Sequence, residues 1–265
     1  MRKVLLPFLC LAFTAAGAQT VPDWENPEVF GINKLPYHAT LGNPSSQQDN
    51  PEITWLDGIW KFHWSKDPDS RPADFYRLEF DVSGWDDIHV PASWQMQGYG
   101  TPLYTNYNYP FKRDIPRVTS EPDRSWTVFE NRNPVGSYVT FFDVADPKGK
   151  NWILEFEGVE SAFYVWVNGQ KVGYSQNSMS PAEFDISAYL VKGQNRLAVE
   201  VYRYCDGSYI EDQDFWRLSG IHRSVKLWER PLVHITDYSI SAIPSEDFSS
   251  DTTYVTVEIA NAEKY

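Results

Sequence analysis

The stretch Tyr204-Cys205-Asp206-Gly207-Ser208-Tyr209-Ile210-Glu211-Asp212-Gln213-Asp214-Phe215-Trp216 crowds four carboxylates (Asp206, Glu211, Asp212, Asp214) among the rings of Tyr204, Tyr209, Phe215 and Trp216. Ionised carboxylates only accept hydrogen bonds, so they bind hydroxyls and ligate hard cations. Flat rings beside them add apolar faces, and together these make the chemistry of a sugar site. An acidic run serving solubility alone would not carry so many large rings, because exposed apolar surface is unfavourable in water. The pattern also suits a solvated loop after a strand, its aromatics tucked into the core, since clustered carboxylates mark sites only in some proteins. These residues alone leave both possibilities open.

The composition limits what else the chain can do. A formal charge of −13 argues against nucleic acid or an anionic membrane as partner, because phosphate binding needs clustered Lys and Arg. No phosphate-cradling Gly loop, CxxC pair or HExxH is present, and His38, His63, His89, His222 and His234 are scattered without ligand spacing. Aromatics make up 16% of the chain, with Trp occurring 11 times, which suits a β-rich protein that faces carbohydrate. At the N-terminus Arg2 and Lys3 precede an apolar run from Val4 to Ala16, and Ala16-Gly17-Ala18 has the small-x-small form of a signal-peptidase site. Residues 1–18 are therefore expected to be a signal peptide, too short to span a bilayer, and the protein to be exported to a bacterial periplasm or the extracellular space. Cys10 would leave with that signal, so Cys205 would have no internal disulfide partner and stability must come from a core.

The elements that must position the acidic stretch read mainly as short strands. Residues 19–50 look like an extended arm rich in turn formers, with Trp24 needing something to pack on. From 51 to 231, alternation marks strands at Ile59–Trp64, Ser137–Val144, Trp152–Phe156, Phe163–Val167, Leu197–Val201 and His222–Leu227. Asn168-Gly169 is a strong hairpin signal, because both residues tolerate positive φ. Only Ala73–Tyr76 and Ile186–Leu190 suggest helical turns. The long connection from Pro91 to Pro134 lacks periodicity but holds Trp94, Tyr99, Tyr104, Tyr107, Tyr109 and Trp126, so ordered loops lining a cleft or a sheet edge are expected. The fold class expected is all-β, a jelly-roll antiparallel β-sandwich. Residues 232–265 give two further alternating strands, read as the start of an incomplete immunoglobulin-like sandwich, since such a domain needs about 100 residues.

In this order the segments Asp23-Trp24-Glu25-Asn26-Pro27, Pro91-Ala92-Ser93-Trp94-Gln95-Met96-Gln97-Gly98-Tyr99, Tyr104-Thr105-Asn106, Tyr109-Pro110, Asn168-Gly169, Gly173-Tyr174 and Asp206 through Ile221 resemble the N-terminal region of large glycoside hydrolase family 2 β-galactosidases. The resemblance implies a jelly-roll sugar-binding domain that precedes an immunoglobulin-like domain and a catalytic (β/α)8 barrel. It also implies retaining hydrolysis of terminal β-D-galactosides by two glutamates about 5–5.5 Å apart. Both glutamates belong to the barrel in that family, so no catalytic residue is assigned to this chain, and Glu211 and Asp214 are not given those roles.

What the resemblance assigns here is supporting. Asn106 would reach the galactose subsite, and Asp214 would bind a substrate hydroxyl and help hold Na⁺. Asp23, Asn26, Gln176 and Asp206, with the Val29 carbonyl, would hold Mg²⁺ and tie the arm to the sandwich, as oxygen donors suit that ion. The plainer alternatives are a turn residue at 106, a solvated or capping acid at 214, and hydrogen-bonded loop groups in the magnesium set. Asn177, in place of an aspartate, and Tyr107-Asn108, in place of Val-Thr, depart from the family pattern and bear on subsite preference. The expected partners are a galactoside, the remaining domains of a longer parent, and further copies of that parent in a homo-oligomer. Alternatives are a β-glucuronidase or β-mannosidase of the same architecture, or a free-standing carbohydrate-binding module.

Overall fold

In the strand Ala162–Val167, Phe163, Val165 and Val167 join one hydrophobic cluster while Tyr164 and Trp166 join another, so both faces are buried. A continuous apolar run of this kind belongs in a sheet covered on both sides. The computed structural model describes residues 21–40, 50–121, 124–125, 131–211 and 214–261. The expected signal peptide, the end of the arm, Trp126, Asp212 and Gln213 lie outside them.

The strands in chain order begin with β1 (Gly31–Ile32), β2 (Ile53–Trp55), β3 (Gly58–Ser65), β4 (Asp86–Val90), β5 (Leu103–Thr105) and β6 (Val135–Val144). There follow β7 (Lys150–Phe156), β8 (Val159–Glu160), β9 (Ala162–Val167), β10 (Gln170–Ser175), β11 (Ala182–Asp185) and β12 (Gly193–Tyr202). The last are β13 (Phe215–Arg217), β14 (Gly220–Ile221), β15 (Val225–Pro231), β16 (Ile235–Pro244) and β17 (Asp251–Ile259), and one short helix, α1, spans Ser208–Glu211. No helix among the described residues is long and apolar enough to cross a membrane.

Two antiparallel sheets stack face to face. The larger has seven strands in the order β1-β10-β9-β12-β6-β3-β4, and the smaller four, β11-β7-β15-β2. Between them lie Phe62, Phe163, Val165 and Val199 from the larger sheet and Leu154, Phe156, Phe184 and Leu227 from the smaller. Sequence neighbours are often not sheet neighbours, as with β12 beside β6 and β15 beside β2, and such crossovers build an all-β sandwich of the jelly-roll type. The β9–β10 hairpin turns at Asn168 (φ 50°) and Gly169 (φ 81°), as its sequence predicts.

Other expectations are adjusted. Ala73–Tyr76 forms a turn without a helix, held by the fully buried Phe75, and Ile186–Leu190 contains a single 3-10 turn at Ser187–Tyr189. β5, β8, β13 and β14 have only two or three residues each, too short to show a period.

The outer face of the larger sheet is covered by irregular chain. Trp24 of the arm stacks on Tyr202 (ring centroids 5.1 Å apart), while Phe111 and Val118 of the long connection pack in the same cluster as Tyr204 and Tyr209. The β16–β17 hairpin is different. Ile240, Ile243, Tyr254, Val255, Val257 and Ile259 are all exposed. Its link to the rest includes the strap of residues 38–40, where Asp237 accepts from the Ala39 amide at 2.8 Å and the Tyr238 hydroxyl donates to the Thr40 carbonyl at 3.2 Å.

Candidate functional site

Thr105 pairs with Phe215 at the end of the β5–β13 ladder, and the chain on both sides then turns away. The next residues outward are Asn106 and Asp214. The Asp214 amide donates to the Asn106 carbonyl at 2.7 Å, so the two residues predicted for one subsite are neighbours. Asp214 has φ 54°, in the left-handed region where Asp and Asn are the best tolerated side chains after glycine. The Tyr104 hydroxyl donates to Asp214 Oδ1. This bond to a carboxylate holds the Tyr104 phenol above its usual pKa. The Asn106 side-chain oxygen accepts from the Tyr107 amide at 2.8 Å, and its Nδ2 donors have no protein partner among the described residues. Tyr104 and Trp216 are cross-strand partners with ring centroids 5.8 Å apart, and both rings are exposed. The site therefore offers an exposed carboxylate, a free amide donor and aromatic faces, which suits a hydroxyl-bearing ligand.

The support under this surface is a pair of buried arginines. Arg217 Nε donates to Thr105 Oγ1 at 2.9 Å, which locks β13 to β5 through side chains as well as backbone. Arg203 Nη2 donates to the carbonyls of Arg217 (2.7 Å) and Thr101 (2.9 Å). Each arginine is 1% exposed. Gln95 braces the next turn, accepting from the Ser219 amide at 3.0 Å and donating to Ser219 Oγ at 3.1 Å. On the other side Tyr209 donates to the Arg117 carbonyl at 2.6 Å and Tyr109 donates to the Tyr209 carbonyl at 2.8 Å. Sequence reasoning singled out neither arginine, because nothing in a single sequence distinguishes a buried Arg from a solvated one. Glu211 points elsewhere within the acidic stretch, accepting from Ser178 Oγ at 2.7 Å.

Of the set predicted to hold magnesium, Asp206 and Gln176 meet directly, at the place where backbone bonds join the arm to the sandwich. The Asp206 amide donates to the Trp24 carbonyl at 2.9 Å, and the Gln176 amide donates to the Phe30 carbonyl at 3.1 Å. Gln176 Nε2 donates to Asp206 Oδ1 at 2.6 Å, and the Val29 amide donates to the Asn26 carbonyl at 2.9 Å. Asp23 accepts from the Tyr164 hydroxyl at 2.8 Å, with Lys171 Nζ 3.9 Å from the same oxygen. Burial pushes the Asp206 carboxyl up, against the hydrogen bonds that pull it down, and the nearby Glu25 carboxylate raises it further. The donor chemistry fits a hard cation at Asp206 and Gln176, where a half-buried carboxylate meets a buried amide whose oxygen and nitrogen can exchange by a flip. Asp23 fits less well, because Tyr164 and Lys171 already satisfy Oδ2. No cluster of three or more His, Cys, Asp or Glu suited to a metal occurs among the described residues, so such a site would depend on amide and carbonyl oxygens.

Residues 53–231 match the family model for the sugar binding domain of glycosyl hydrolases family 2. The chain belongs to glycosyl hydrolase family 2. Among curated relatives, a β-galactosidase of Priestia megaterium is 42% identical over 256 residues, covering 93% of this chain and 24% of the relative. A β-galactosidase of Clostridium acetobutylicum is 44% identical over 236 residues, covering 86% and 26%. The chain thus spans about a quarter of the length of these family members. Among solved structures, a β-glucuronidase from an uncultured Clostridium sp. aligns with TM-score 0.58 at 21% identity, covering 86% of this chain and 36% of that one. A β-glycosidase from Bacteroides vulgatus aligns with TM-score 0.57 at 23% identity, covering 81% and 25%. At these identities the structural likeness is one of fold.

Proposed function

We propose that this chain is the sugar-binding segment of an exported, retaining β-galactosidase that removes terminal non-reducing β-D-galactose. The observation that carries this reading is the meeting of Asn106 and Asp214 at an exposed, aromatic-lined turn. Asp214 would accept a galactose hydroxyl and share a Na⁺ ion, and Asn106 would donate from its side-chain amide. Tyr104 would keep the carboxylate oriented, while the buried Arg203 and Arg217 hold the strands that carry both residues. The two reacting glutamates would come from the part of a longer parent that lies beyond the quarter matched here. Asp206 and Gln176, with Asn26, the Val29 carbonyl and Asp23, would take Mg²⁺ and fasten the arm. Curated relatives named β-galactosidase at 42% and 44% identity favour galactose over the glucuronides named for the structural neighbours at lower identity.

The test is hydrolysis of nitrophenyl β-D-galactoside and nitrophenyl β-D-glucuronide by the purified chain, alone and with complementing C-terminal portions of a family 2 β-galactosidase. The expected result is no turnover alone and galactosidase activity on complementation. Asp214→Asn should lower kcat/KM of the complemented enzyme about 10- to 100-fold, the worth of a hydrogen bond to a charged group. Turnover by the chain alone, or preference for the glucuronide, would overturn this reading.

A further inference from the structure

A second concave site lies on the outer face of the larger sheet and shares no lining residue with the Asn106–Asp214 turn. It is a groove of about 470 Å³ between β9, β10, β12 and the arm, within the usual range for small-ligand pockets of about 300–1,000 Å³. Its walls are aromatic. Tyr76 stacks on Trp166 at 5.1 Å with the rings 7° from parallel, and Trp24 lies on Tyr202.

Its polar groups are paired donors and acceptors. Glu200 is 4% exposed and takes both of its contacts on Oε1: the Tyr202 hydroxyl at 2.6 Å and the Arg71 Nε at 3.1 Å. Oε2 has no protein partner among the described residues. Across the groove, Lys171 Nζ sits 4.3 Å from the Tyr164 ring centroid and 3.9 Å from Asp23. Each cation therefore faces a carboxylate, and the groove has no spare charge with which to hold an ion.

A buried carboxylate with a free acceptor oxygen, ammonium and guanidinium donors nearby, and the rims of packed aromatic rings as walls suit a neutral ligand with adjacent hydroxyls. We infer that this groove is a second, non-catalytic saccharide-binding site, in which Glu200 accepts from one hydroxyl while Arg71 and Lys171 donate to its neighbours. It does not depend on the galactosidase reading, because it needs neither the reacting glutamates nor Asp214.

Titrating the full chain with maltose, cellobiose and glucuronic acid, none of which carries the galactose assigned to the Asn106–Asp214 turn, followed by tryptophan fluorescence and by saturation-transfer NMR, tests the site. The expected result is saturable binding of a neutral disaccharide with a fluorescence change from Trp24 and Trp166. Glu200→Gln should weaken that binding about tenfold, and Lys171→Ala should weaken it severalfold. Tyr254→Ala, on the exposed β16–β17 hairpin, should leave it unchanged. Lys171 lies at the surface, so its variant keeps the test decisive should Glu200→Gln fail to fold. Absence of saturable binding by both disaccharides would overturn the inference. So would tighter binding of glucuronic acid, or binding that Asp214→Asn abolishes and Lys171→Ala spares.

Discussion

β9 and β16 are both strands of an antiparallel pair, yet every residue of β9 is buried while most of β16 is exposed. β9 is enclosed because one face meets the smaller sheet and the other lies under Trp24, Tyr76 and neighbouring loop residues. β16 and β17 pair with each other over nine register positions and have little else to lean on. The difference teaches that hydrophobic alternation specifies a strand, whereas burial depends on what other chain lies across it. In this molecule much of that covering is irregular: the arm and the long connection do for the outer sheet face what a third layer would do elsewhere.

The largest expected effect sharpens this contrast directly. Phe163→Ala removes a ring from between the sheets and should lower unfolding free energy by about 3–5 kcal/mol, while Tyr254→Ala on the hairpin should change it by less than about 0.5 kcal/mol, both measured by urea denaturation. Equal costs would mean that the hairpin face is covered in solution. Next in size is the fastening of the arm. With Mg²⁺ at 100 times its dissociation constant, stability should rise by about 2.7 kcal/mol, and Asp206→Asn should remove most of that gain in thermal melts with and without EDTA. An unchanged melting temperature would leave the Trp24 contacts as the arm's main attachment.

The smallest effects distinguish the sandwich from the strap that reaches the hairpin. Burial holds the His222 imidazole below its usual pKa, partly offset by its bond to the Ser178 carbonyl. The folded state then binds fewer protons than the unfolded one, so its contribution is lost as pH falls through 6.5. At His38 burial also pushes downward, but the Ala39 carbonyl and the Glu183 carboxylate, 3.0 Å away, lift the net value above the usual one. Its contribution is present below pH 6.5 and lost as pH rises through the folded value. His38→Gln should therefore destabilise more at pH 6 than at pH 8, and His222→Gln should flatten the decline on the acid side. Chemical denaturation at both pH values measures each difference, and matching pH profiles for the two variants would erase the contrast.

Much of the sandwich was legible in the sequence because its long strands carry a period: β3, β6, β9, β10 and β12 each hold enough alternating or continuous apolar residues to declare themselves. The Asn168-Gly169 turn was legible because its backbone conformation restricts the residues that can occupy it. The partnership of Asn106 with Asp214 came from resemblance. Its strands, β5 and β13, are three residues long, and their register rests on contacts between distant segments, such as Arg217 with Thr105. The groove at Glu200 was illegible for a similar reason. Glu200 lies mid-strand in a hydrophobic run, and only the folded sheet brings it beside Arg71, which is far away in the sequence.

The positive φ of Asp214 has a practical bearing on mutagenesis. In a saturation library at codon 214, backbone geometry and carboxylate chemistry are filtered together, so alanine, valine or leucine variants would report a distorted turn as well as a missing acceptor. Asparagine shares the conformational tolerance but loses the charge and exchanges one acceptor oxygen for a donor NH2, and glycine shares the tolerance and lacks the whole side chain. Comparing those two with wild type separates the electrostatic share of the phenotype from the steric one.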